Sequence, residues 1–386
     1  MVDRFEKAEK LEQGAGIDAI VLAGGKADRR FVVDGRPVYK PFLRLGGETL
    51  VTRAVRAALH AKEVGRVVVV GPVEALREAL GPLMEEAGEG LTLLEEGEGI
   101  LENMLIGFFD AILPSRGYAA PRAAELTPNS VAEFKLQHPE LVSHRVLIMT
   151  SDMPFVRAVD LDRFIRMAPQ EAKLVVGMLD HAELEKMQKA LGDHTVLDQW
   201  KLGAMPFREV SVRLNNLWLA RPLSAEPVIY DLVREVYEHR WMLKQNGSVH
   251  WANCWSIMRS FWRFSRKIKG RRRFVRGVFN LVPLLFATLL ARMTLRAGRW
   301  LSSPFRFLVR RRDVEFTGSL LISTPTEMHI SRDLGPAIDI DVEESYLSLS
   351  REGEEGFRRV ERYLLQQESA ACAKAKAREG QEEEKT

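Results

Sequence analysis

Residues 17–29 have the sequence IDAIVLAGGKADR, in which an apolar run ends at two glycines and an arginine follows four residues later. The branched and apolar side chains from Ile17 to Leu22 predict a buried strand. Paired glycines at Gly24 and Gly25 let the backbone bend so that several N–H groups can face one anion. The stretch therefore predicts a strand that leads into a phosphate-binding turn, although similar turns also occur in proteins that bind no nucleotide.

The segments that follow have the alternation of an α/β domain. Residues 40–50, KPFLRLGGETL, precede a helical pattern, and residues 67–71, VVVVG, have the composition of a second buried strand. Strand, helix and strand in this order predict an α/β domain with a parallel sheet. Arg29 and Lys40 would then supply fixed positive charge to a triphosphate.

These residues form a motif that resembles the signature of a known enzyme family. The motif consists of Leu22-Ala23-Gly24-Gly25, Arg29 and Lys40-Pro41. It is similar to that of the nucleotidyltransferases related to molybdenum cofactor guanylyltransferase and to the sugar-phosphate nucleotidyltransferases. The resemblance implies a Rossmann-like, GT-A-type α/β fold with a mainly parallel central sheet, and catalytic roles for Arg29 and Lys40. It also implies that the residues around the glycine turn bind the nucleotide, namely Leu22, Ala23, Gly24, Gly25 and Lys26.

A carboxylate follows another apolar run farther along the chain. Residues 145–150, RVLIMT, predict a buried strand, and Ser151 and Asp152 follow it. Ligands of open α/β sheets collect at the carboxyl ends of the strands, where a carboxylate can bind Mg²⁺ together with nucleotide phosphates. Asp152 followed by Pro154 would also start a helix well, and both roles can coexist. Because Asp-x-Pro resembles the metal motif of the family, the resemblance implies that Asp152 is a catalytic Mg²⁺ ligand.

A third candidate segment lies near the end of the chain, at residues 335–346, GPAIDIDVEESY. It resembles the closing strand of the family. Alternation with period two would place Asp339 and Asp341 on one face of that strand. Either could complete the Mg²⁺ site begun by Asp152, and Asp341 is favoured because it is next to a helix start. A solvated edge strand with a helix cap is the alternative.

Two further segments have weaker signals. Residues 95–99 form an acidic, glycine-containing loop before a helix, at the place where the relatives bind the nucleobase, so Asn103 is a candidate nucleotide contact. Residues 210–219 predict a strand that would line the acceptor pocket, as a matching strand does in the relatives. Arg213 and Asn215 would share one face of this strand, and Asn216 would lie on the other. Arg213 and Asn215 are the candidate acceptor-binding residues.

Composition suggests how the chain is divided. With 386 residues, of which 46% are hydrophobic, it can bury a large core and form one elaborated domain or two. Cys254 and Cys372 are isolated, and the charged segment 1–13 does not resemble a secretory signal, so we expect a cytoplasmic protein. The expected divisions are an N-terminal extension (1–16), the nucleotidyltransferase core (17–235), a basic helical insertion (236–313), a return to the core (314–366) and a tail of frayed helix or disorder (367–386).

The basic insertion has an unusual charge pattern. No Asp or Glu occurs between Glu238 and Asp313, while Arg, Lys and aromatic residues recur throughout, and an apolar stretch runs over 278–291. That stretch is shorter than the about 20 apolar residues of a membrane span. Basic and aromatic residues beside an apolar helix favour peripheral attachment of residues 240–312 to an anionic membrane surface at the inner face. Internal packing or an oligomer contact is the alternative, and nucleic acid is the least favoured partner.

The motifs together predict a reaction. A nucleoside triphosphate with Mg²⁺ would transfer its nucleoside monophosphate to a phosphorylated acceptor, either a small molecule or a lipid precursor, and pyrophosphate would leave. The alternatives are a GT-A-type glycosyltransferase that uses a sugar nucleotide, and a non-catalytic binding protein at the membrane. The sequence does not identify the base, the acceptor or the oligomeric state.

Overall fold

The computed structural model describes residues 16–24, 32–33, 35–192, 204–225, 259, 262–263, 271–295, 299–340 and 343–383. Within these ranges the strands of the central sheet are β1 (Ile17–Leu22), β2 (Val64–Val70), β3 (Leu91–Leu94), β4 (Val146–Thr150), β5 (Leu174–Asp180), β6 (Met205–Pro206), β7 (Ser211–Ala220) and β8 (Thr326–Ser331). Two short hairpins stand apart from this sheet, at residues 32–37 and 44–49.

The central sheet is mainly parallel, as predicted. Its strands lie in the order β8-β5-β7-β4-β1-β2-β3, and β6 pairs with β7. Strand β1 is parallel to both neighbours, β2 and β4. Strand β7 is antiparallel to β4 and β5, and β8 is parallel to β5. The carboxyl ends of β1, β2, β3 and β4 therefore meet at one edge, where ligands of α/β sheets bind.

Helices cover both faces of the sheet. They are α1 (Leu50–His60), α2 (Val73–Ala87), α3 (Ile100–Ile106), α4 (Pro128–Gln137), α5 (Ala158–Met167), α6 (His181–Leu191), α7 (Arg271–Leu295), α8 (Arg299–Phe307), α9 (Arg311–Leu321) and α10 (Glu343–Glu383). Among the helices that the structure describes, none combines the length and apolar character that crossing a bilayer would require.

Strand β1 is the centre of the core. Ala19 and Val21 pack in the cluster that includes Val51 of α1, while Ile20 packs in the cluster on the opposite face with Phe108. All five side chains are buried. The near-continuous apolar sequence of the strand follows from this position, because a central parallel strand is covered on both faces.

Helix α3 approaches β1 closely. It continues through a π-helical turn, Gly107–Ile112, and a Cβ atom at Gly107 would lie 2.8 Å from Cγ2 of Ile20. Only a glycine therefore allows the helix to pack at this distance from the strand. The packing sets the position of Asn103, one turn earlier in α3, near the carboxyl end of β1.

A buried ion pair anchors the opposite end of β1. The carboxylate of Asp18 accepts hydrogen bonds from Nε of Arg116, at 2.8 Å, and from Nε2 of His144, at 3.2 Å. Burial would raise the pKa of Asp18, but the hydrogen bonds from His144 and Arg116 outweigh it and hold the pKa below its usual value. Asp18 therefore stays ionised in the folded protein and connects β1 to two neighbouring loops.

The chain after β8 returns to the carboxyl edge. A Cβ atom at Gly335 would lie 2.4 Å from the carbonyl oxygen of Phe155, so the segment fits tightly against the turn after β4. The N–H of Ile340 then donates to the carbonyl oxygen of Asp152 at 3.2 Å. Helix α10 follows and extends to Glu383, through most of the segment 367–386 for which the composition suggested frayed helix or disorder.

The packing of the chain that follows β8 makes the free energy of unfolding depend on pH. Asp333 is buried beside Asp160, its Oδ1 accepts a hydrogen bond from Nη1 of Arg163, and Arg157 lies nearby. Burial, reinforced by the charge of Asp160, raises the pKa of Asp333 to about 6 from 3.8. The folded state therefore favours the neutral carboxyl, and this contribution to stability is present below about pH 4 and is lost as the pH rises through about 6.

We expect the substitution Asp333→Asn to remove the loss of stability at high pH. The free energy of unfolding of the variant should equal that of the wild type near pH 4 and exceed it by about 1–3 kcal/mol at pH 8. Urea unfolding at a series of pH values measures the difference, with Asp313→Asn, an exposed carboxyl on α9, as the control. A difference that does not change between pH 4 and pH 8 would contradict the prediction.

The described part of the basic segment packs against the β8 side of the sheet. Ala287 of α7 lies in an apolar cluster with Phe207, Val309 and Met328. The remainder of the expected insertion, residues 236–258, 260–261, 264–270 and 296–298, lies outside the described residues. One face of α7 is therefore core, as the packing alternative expects, and the other face is open to solvent.

Candidate active site

The candidate site lies where β1 and β4 end. Leu22 pairs with Thr150 in the parallel ladder, and the N–H of Ser151 donates to the carbonyl oxygen of Leu22 at 3.1 Å. Gly24 and Asp152 therefore follow from adjacent strand ends, each two residues beyond a paired position. The sheet brings together a glycine and an aspartate that are far apart in the sequence.

Lys40 and Asp152 form an ion pair at this edge. Nζ of Lys40 lies 2.9 Å from Oδ2 of Asp152, and both side chains are partly accessible to solvent. The hydroxyl of Thr150 donates to Oδ1 of Asp152 at 2.5 Å. Lys40 begins a short 3₁₀ turn, Lys40–Phe42, whose Pro41 is buried. Thus two of the three predicted catalytic residues are in direct contact, and each oxygen of the carboxylate has a polar partner.

Gly24 is in contact with two side chains from the loop before α3 and from α3 itself. A Cβ atom at Gly24 would lie 2.3 Å from Oε2 of Glu96 and 2.4 Å from Nδ2 of Asn103. Asn103 is buried, and its Oδ1 accepts a hydrogen bond from the N–H of Gly97 at 2.7 Å. The loop therefore holds Asn103 so that its amide NH₂ group faces the glycine turn.

Asp339 approaches β7 from the closing segment. Its carboxylate accepts hydrogen bonds from Nη2 of Arg213, at 2.8 Å, and from Nδ2 of Asn216, at 3.1 Å. Asn215 is buried, and its Oδ1 accepts from the N–H of Leu217 at 3.1 Å. Asn216, for which the alternation predicts the face opposite to Arg213, therefore contacts the same carboxylate as Arg213.

The cause is an irregularity in the pairing of β7 with β5. Leu214 pairs with Met178 and Trp218 with Val176, so three residues of β7 are opposite the single residue Gly177. Such a bulge interrupts the period-two alternation on which the prediction depended. Gly177 makes room for it, because a Cβ atom there would lie 2.0 Å from Oδ1 of Asn215.

Other candidate residues cannot be placed. Gly25, Lys26, Arg29 and Asp341 lie outside the described residues. Leu22 ends β1 and Ala23 follows it, and the N–H of Ala23 donates to the carbonyl oxygen of Val70 at 2.9 Å. Two contributors to the site, Thr150 and Glu96, did not stand out in the sequence. The only signal for Thr150 was a hydroxyl residue at the end of a buried strand, two positions before the aspartate.

The described residues offer a sparse set of metal ligands. Nowhere in the described ranges do three His, Cys, Asp or Glu side chains gather closely enough to hold a metal ion. Magnesium commonly binds through one or two carboxylates and completes its octahedron with water and substrate phosphates. A partly accessible carboxylate such as Asp152 fits that donor set.

This arrangement defines a class of protein: a mainly parallel α/β sheet with a glycine turn, a lysine and an aspartate at its carboxyl edge. The family model described as the MobA-like NTP transferase domain matches residues 19–240. The chain belongs to this family, and it is a nucleotidyltransferase, as the motifs predicted. No match to the chain was found among curated proteins.

Several solved structures are similar to the chain. A hypothetical transferase from Thermus thermophilus is 19% identical, with a TM-score of 0.48 over 86% of this chain and 99% of that one. The 4-diphosphocytidyl-2C-methyl-D-erythritol synthase from Anaerococcus prevotii is 14% identical, with a TM-score of 0.30 over 58% and 76%. The inositol-1-phosphate CTP transferase from T. maritima is 19% identical, with a TM-score of 0.26 over 44% and 55%.

Proposed function

We propose that the protein transfers a nucleoside monophosphate from a nucleoside triphosphate to a phosphorylated acceptor. The observation that supports this proposal is the meeting of Gly24, Lys40 and Asp152 at one sheet edge, in a member of a nucleotidyltransferase family. A phosphate oxygen of the acceptor attacks the α-phosphorus, and the bond to pyrophosphate breaks. The attacking phosphate is ionised near neutral pH, so no protein base is needed. Catalysis then depends on alignment and on neutralisation of charge.

Each side chain has a proposed role in this reaction. Lys40 and Arg29 neutralise the triphosphate, and the turn at residues 22–26 offers backbone N–H groups to it. Asp152 holds Mg²⁺, with Asp341 as the proposed second ligand. The cation, when bound, neutralises charge on the phosphate oxygens. In the structure the Lys40 ammonium already contacts the carboxylate at 2.9 Å, so one protein cation and the proposed metal ligand are close together.

The charges at the edge suggest how the nucleotide is oriented. Glu96 and Asn103 lie against Gly24, whereas the Lys40 ammonium, which attracts phosphate oxygens, lies against Asp152. The phosphates therefore extend towards Lys40, and the nucleoside lies on the side of Asn103 and Glu96. There the amide and the carboxylate can hydrogen-bond to the hydroxyl, N–H or amino groups of a nucleoside.

The acceptor is proposed to bind near β7. Arg213 and Asn215 are the predicted contacts, and we add Asn216 to the proposal because its amide shares Asp339 with Arg213. Arg213 can bind a phosphate through its planar guanidinium, and Asp339 orients it. Asn215 is buried against the strand, so its proposed role is to hold the bulge that positions Arg213 and Asn216.

Thermal unfolding with each of the four ribonucleoside triphosphates and Mg²⁺ tests this proposal. A ligand that binds only the folded state increases the free energy of unfolding, by about 2.7 kcal/mol when its concentration is a hundred times its Kd. The melting temperature rises accordingly. We expect one triphosphate to protect, and pyrophosphate release to follow when a phosphorylated acceptor is added. Protection by a sugar nucleotide with glycosyl transfer would favour a GT-A-type glycosyltransferase instead, and no protection by any nucleotide would favour a non-catalytic binding protein.

We also propose where the reaction takes place. The basic segment 240–312 would attach the enzyme peripherally to an anionic membrane surface on the cytoplasmic side, where each nearby Lys or Arg contributes about 1 kcal/mol. A lipid precursor with a phosphorylated head group is then an acceptor of suitable chemistry. This location is independent of the catalytic roles and is tested separately.

A further inference from the structure

We propose that the solvent face of α7 is the surface that contacts the lipid, with Phe279, Val282 and Phe286 entering the head-group region of an anionic bilayer. The inference rests on the membrane location proposed above and not on the chemistry proposed for the site. It assigns the contact to one helix face.

The apolar side chains of this face are open to solvent. Phe279 is 72% exposed, Val282 is 47% exposed and Phe286 is 54% exposed. Positions three and four apart lie on the same side of a helix, so these three side chains form one stripe. Ala291, on the opposite side of the helix, is buried, and Ala287, to one side of the stripe, is buried in the apolar cluster with Phe207. The stripe is therefore separate from the core, and α7 presents it outward on a helix that is docked on its other side.

Positive charge borders the stripe. Arg276 and Arg272 are exposed and lie on the same face, one and two turns before Phe279 respectively. The guanidinium carbon of Arg276 lies 5.5 Å from the ring centre of Phe316 on α9. Because the sequence has no Asp or Glu between Glu238 and Asp313, nothing within this segment offsets the charge. An apolar stripe beside arginines complements an anionic bilayer surface, whose head groups are charged and whose interior is apolar.

A neighbouring helix also has exposed apolar side chains. Phe307 at the end of α8, and Leu308 after it, are exposed, and α8 packs against α7. The guanidinium carbon of Arg208 lies 4.0 Å from the ring centre of Phe307. The same combination of an exposed apolar side chain and an arginine therefore occurs a second time in this part of the protein.

The composition of the stripe favours lipid over the alternatives. Single-stranded nucleic acid binds by stacking bases on aromatic rings, and Val282 and the exposed Leu285 have no ring to offer. A second copy of the chain would bring the same arginines together, where their like charges repel. An anionic bilayer accommodates both the aliphatic side chains and the charge.

Vesicle flotation tests the inference, using vesicles of phosphatidylcholine with and without phosphatidylglycerol. We expect the full-length protein to float with the anionic vesicles and to be released by high salt. The variant Phe279→Ser/Phe286→Ser should bind them at least about tenfold more weakly. The matched control is Leu136→Ser, which replaces an 83% exposed leucine on α4 and should bind like the wild type. The variant Arg272→Gln/Arg276→Gln should bind more weakly and with a smaller dependence on salt.

The outcomes separate this inference from the proposed chemistry. Unchanged flotation of the Phe279→Ser/Phe286→Ser variant would overturn it. So would a change confined to oligomeric state in light scattering, or to the binding of a single-stranded oligonucleotide. Circular dichroism and thermal unfolding establish that each variant is folded. Pyrophosphate release with a soluble acceptor should be the same in the stripe variants as in the wild type, and a failure of that assay in all proteins would contradict the proposed reaction without affecting the flotation result.

Discussion

Replacing Asp152 by Asn should abolish magnesium-dependent pyrophosphate release, with a loss of roughly 10³-fold or more, because a catalytic metal ion contributes several kcal/mol to transition-state stabilisation. The substitution keeps the shape of the side chain, so Thr150 and Lys40 retain a neighbour of similar size. It removes the negative charge that pairs with Lys40 at 2.9 Å. We therefore expect the loss in kcat, measured by release of pyrophosphate, and little change in melting temperature.

Asp180→Asn is a suitable control for this variant. Asp180 ends β5 and its Oδ1 accepts a hydrogen bond from the N–H of Ala182 at 3.0 Å, at the start of α6. It is an aspartate at the end of another strand, and it has a capping role of its own. Turnover should survive its substitution. Wild-type turnover in Asp152→Asn would mean that the catalytic cation is held elsewhere.

The sequence predicted the fold and four residues of the candidate site, Gly24, Lys40, Asn103 and Asp152. Strand β1 is a continuous apolar run because it is buried on both faces, and this pattern identifies such a strand without knowledge of its partners. Parallel pairing then places whatever follows β1 and β4 at the same edge. That general property of parallel sheets is why Gly24 and Asp152 could be expected to meet across a long sequence separation.

Side-chain grouping within β7 could not be predicted in the same way. The alternation rule assumes regular pairing, and the bulge opposite Gly177 breaks it. A bulge depends on the partner strand, here on the space left by a glycine in β5, so it has no clear signal within β7 itself. Arg213 and Asn216 therefore share Asp339, although the alternation of the sequence separates them.

The position of Glu96 could not be predicted from the sequence, for a different reason. The segment 95–99 contains three glutamates and two glycines, which in sequence is typical of a solvated loop. Its conformation is held by the following helix, where Oδ1 of Asn103 accepts from the N–H of Gly97 and Oε2 of Glu102 accepts from the N–H of Glu98. A loop whose shape depends on side chains of the following helix cannot be derived from its own composition.

The substitution Gly24→Ala should weaken nucleotide binding, with KM for the triphosphate raised by at least about tenfold and kcat lowered as well, since small displacements of positioning groups are costly for alignment. The added Cβ would lie 2.3 Å from Oε2 of Glu96 and 2.4 Å from Nδ2 of Asn103. Asn103 is buried and bonded to Gly97, so the loop must move with it. We expect the fold to lose about 1–3 kcal/mol, as is usual for overpacking.

Two further variants distinguish this steric effect from a general loss of stability. Gly81 lies within α2, and a Cβ atom there would have no neighbour within 4 Å. Gly81→Ala should therefore leave KM unchanged and stabilise the helix by about 0.5–1 kcal/mol. The double variant Gly24→Ala/Asn103→Gly removes the closest fixed obstacle to the new methyl group. If the contact with Asn103 is what destabilises the Gly24→Ala variant, the double variant should melt at a higher temperature than Gly24→Ala alone. Its nucleotide affinity should nevertheless stay low if the amide of Asn103 binds the nucleoside, whereas full recovery of KM would show that Asn103 only restricts the space around the glycine turn.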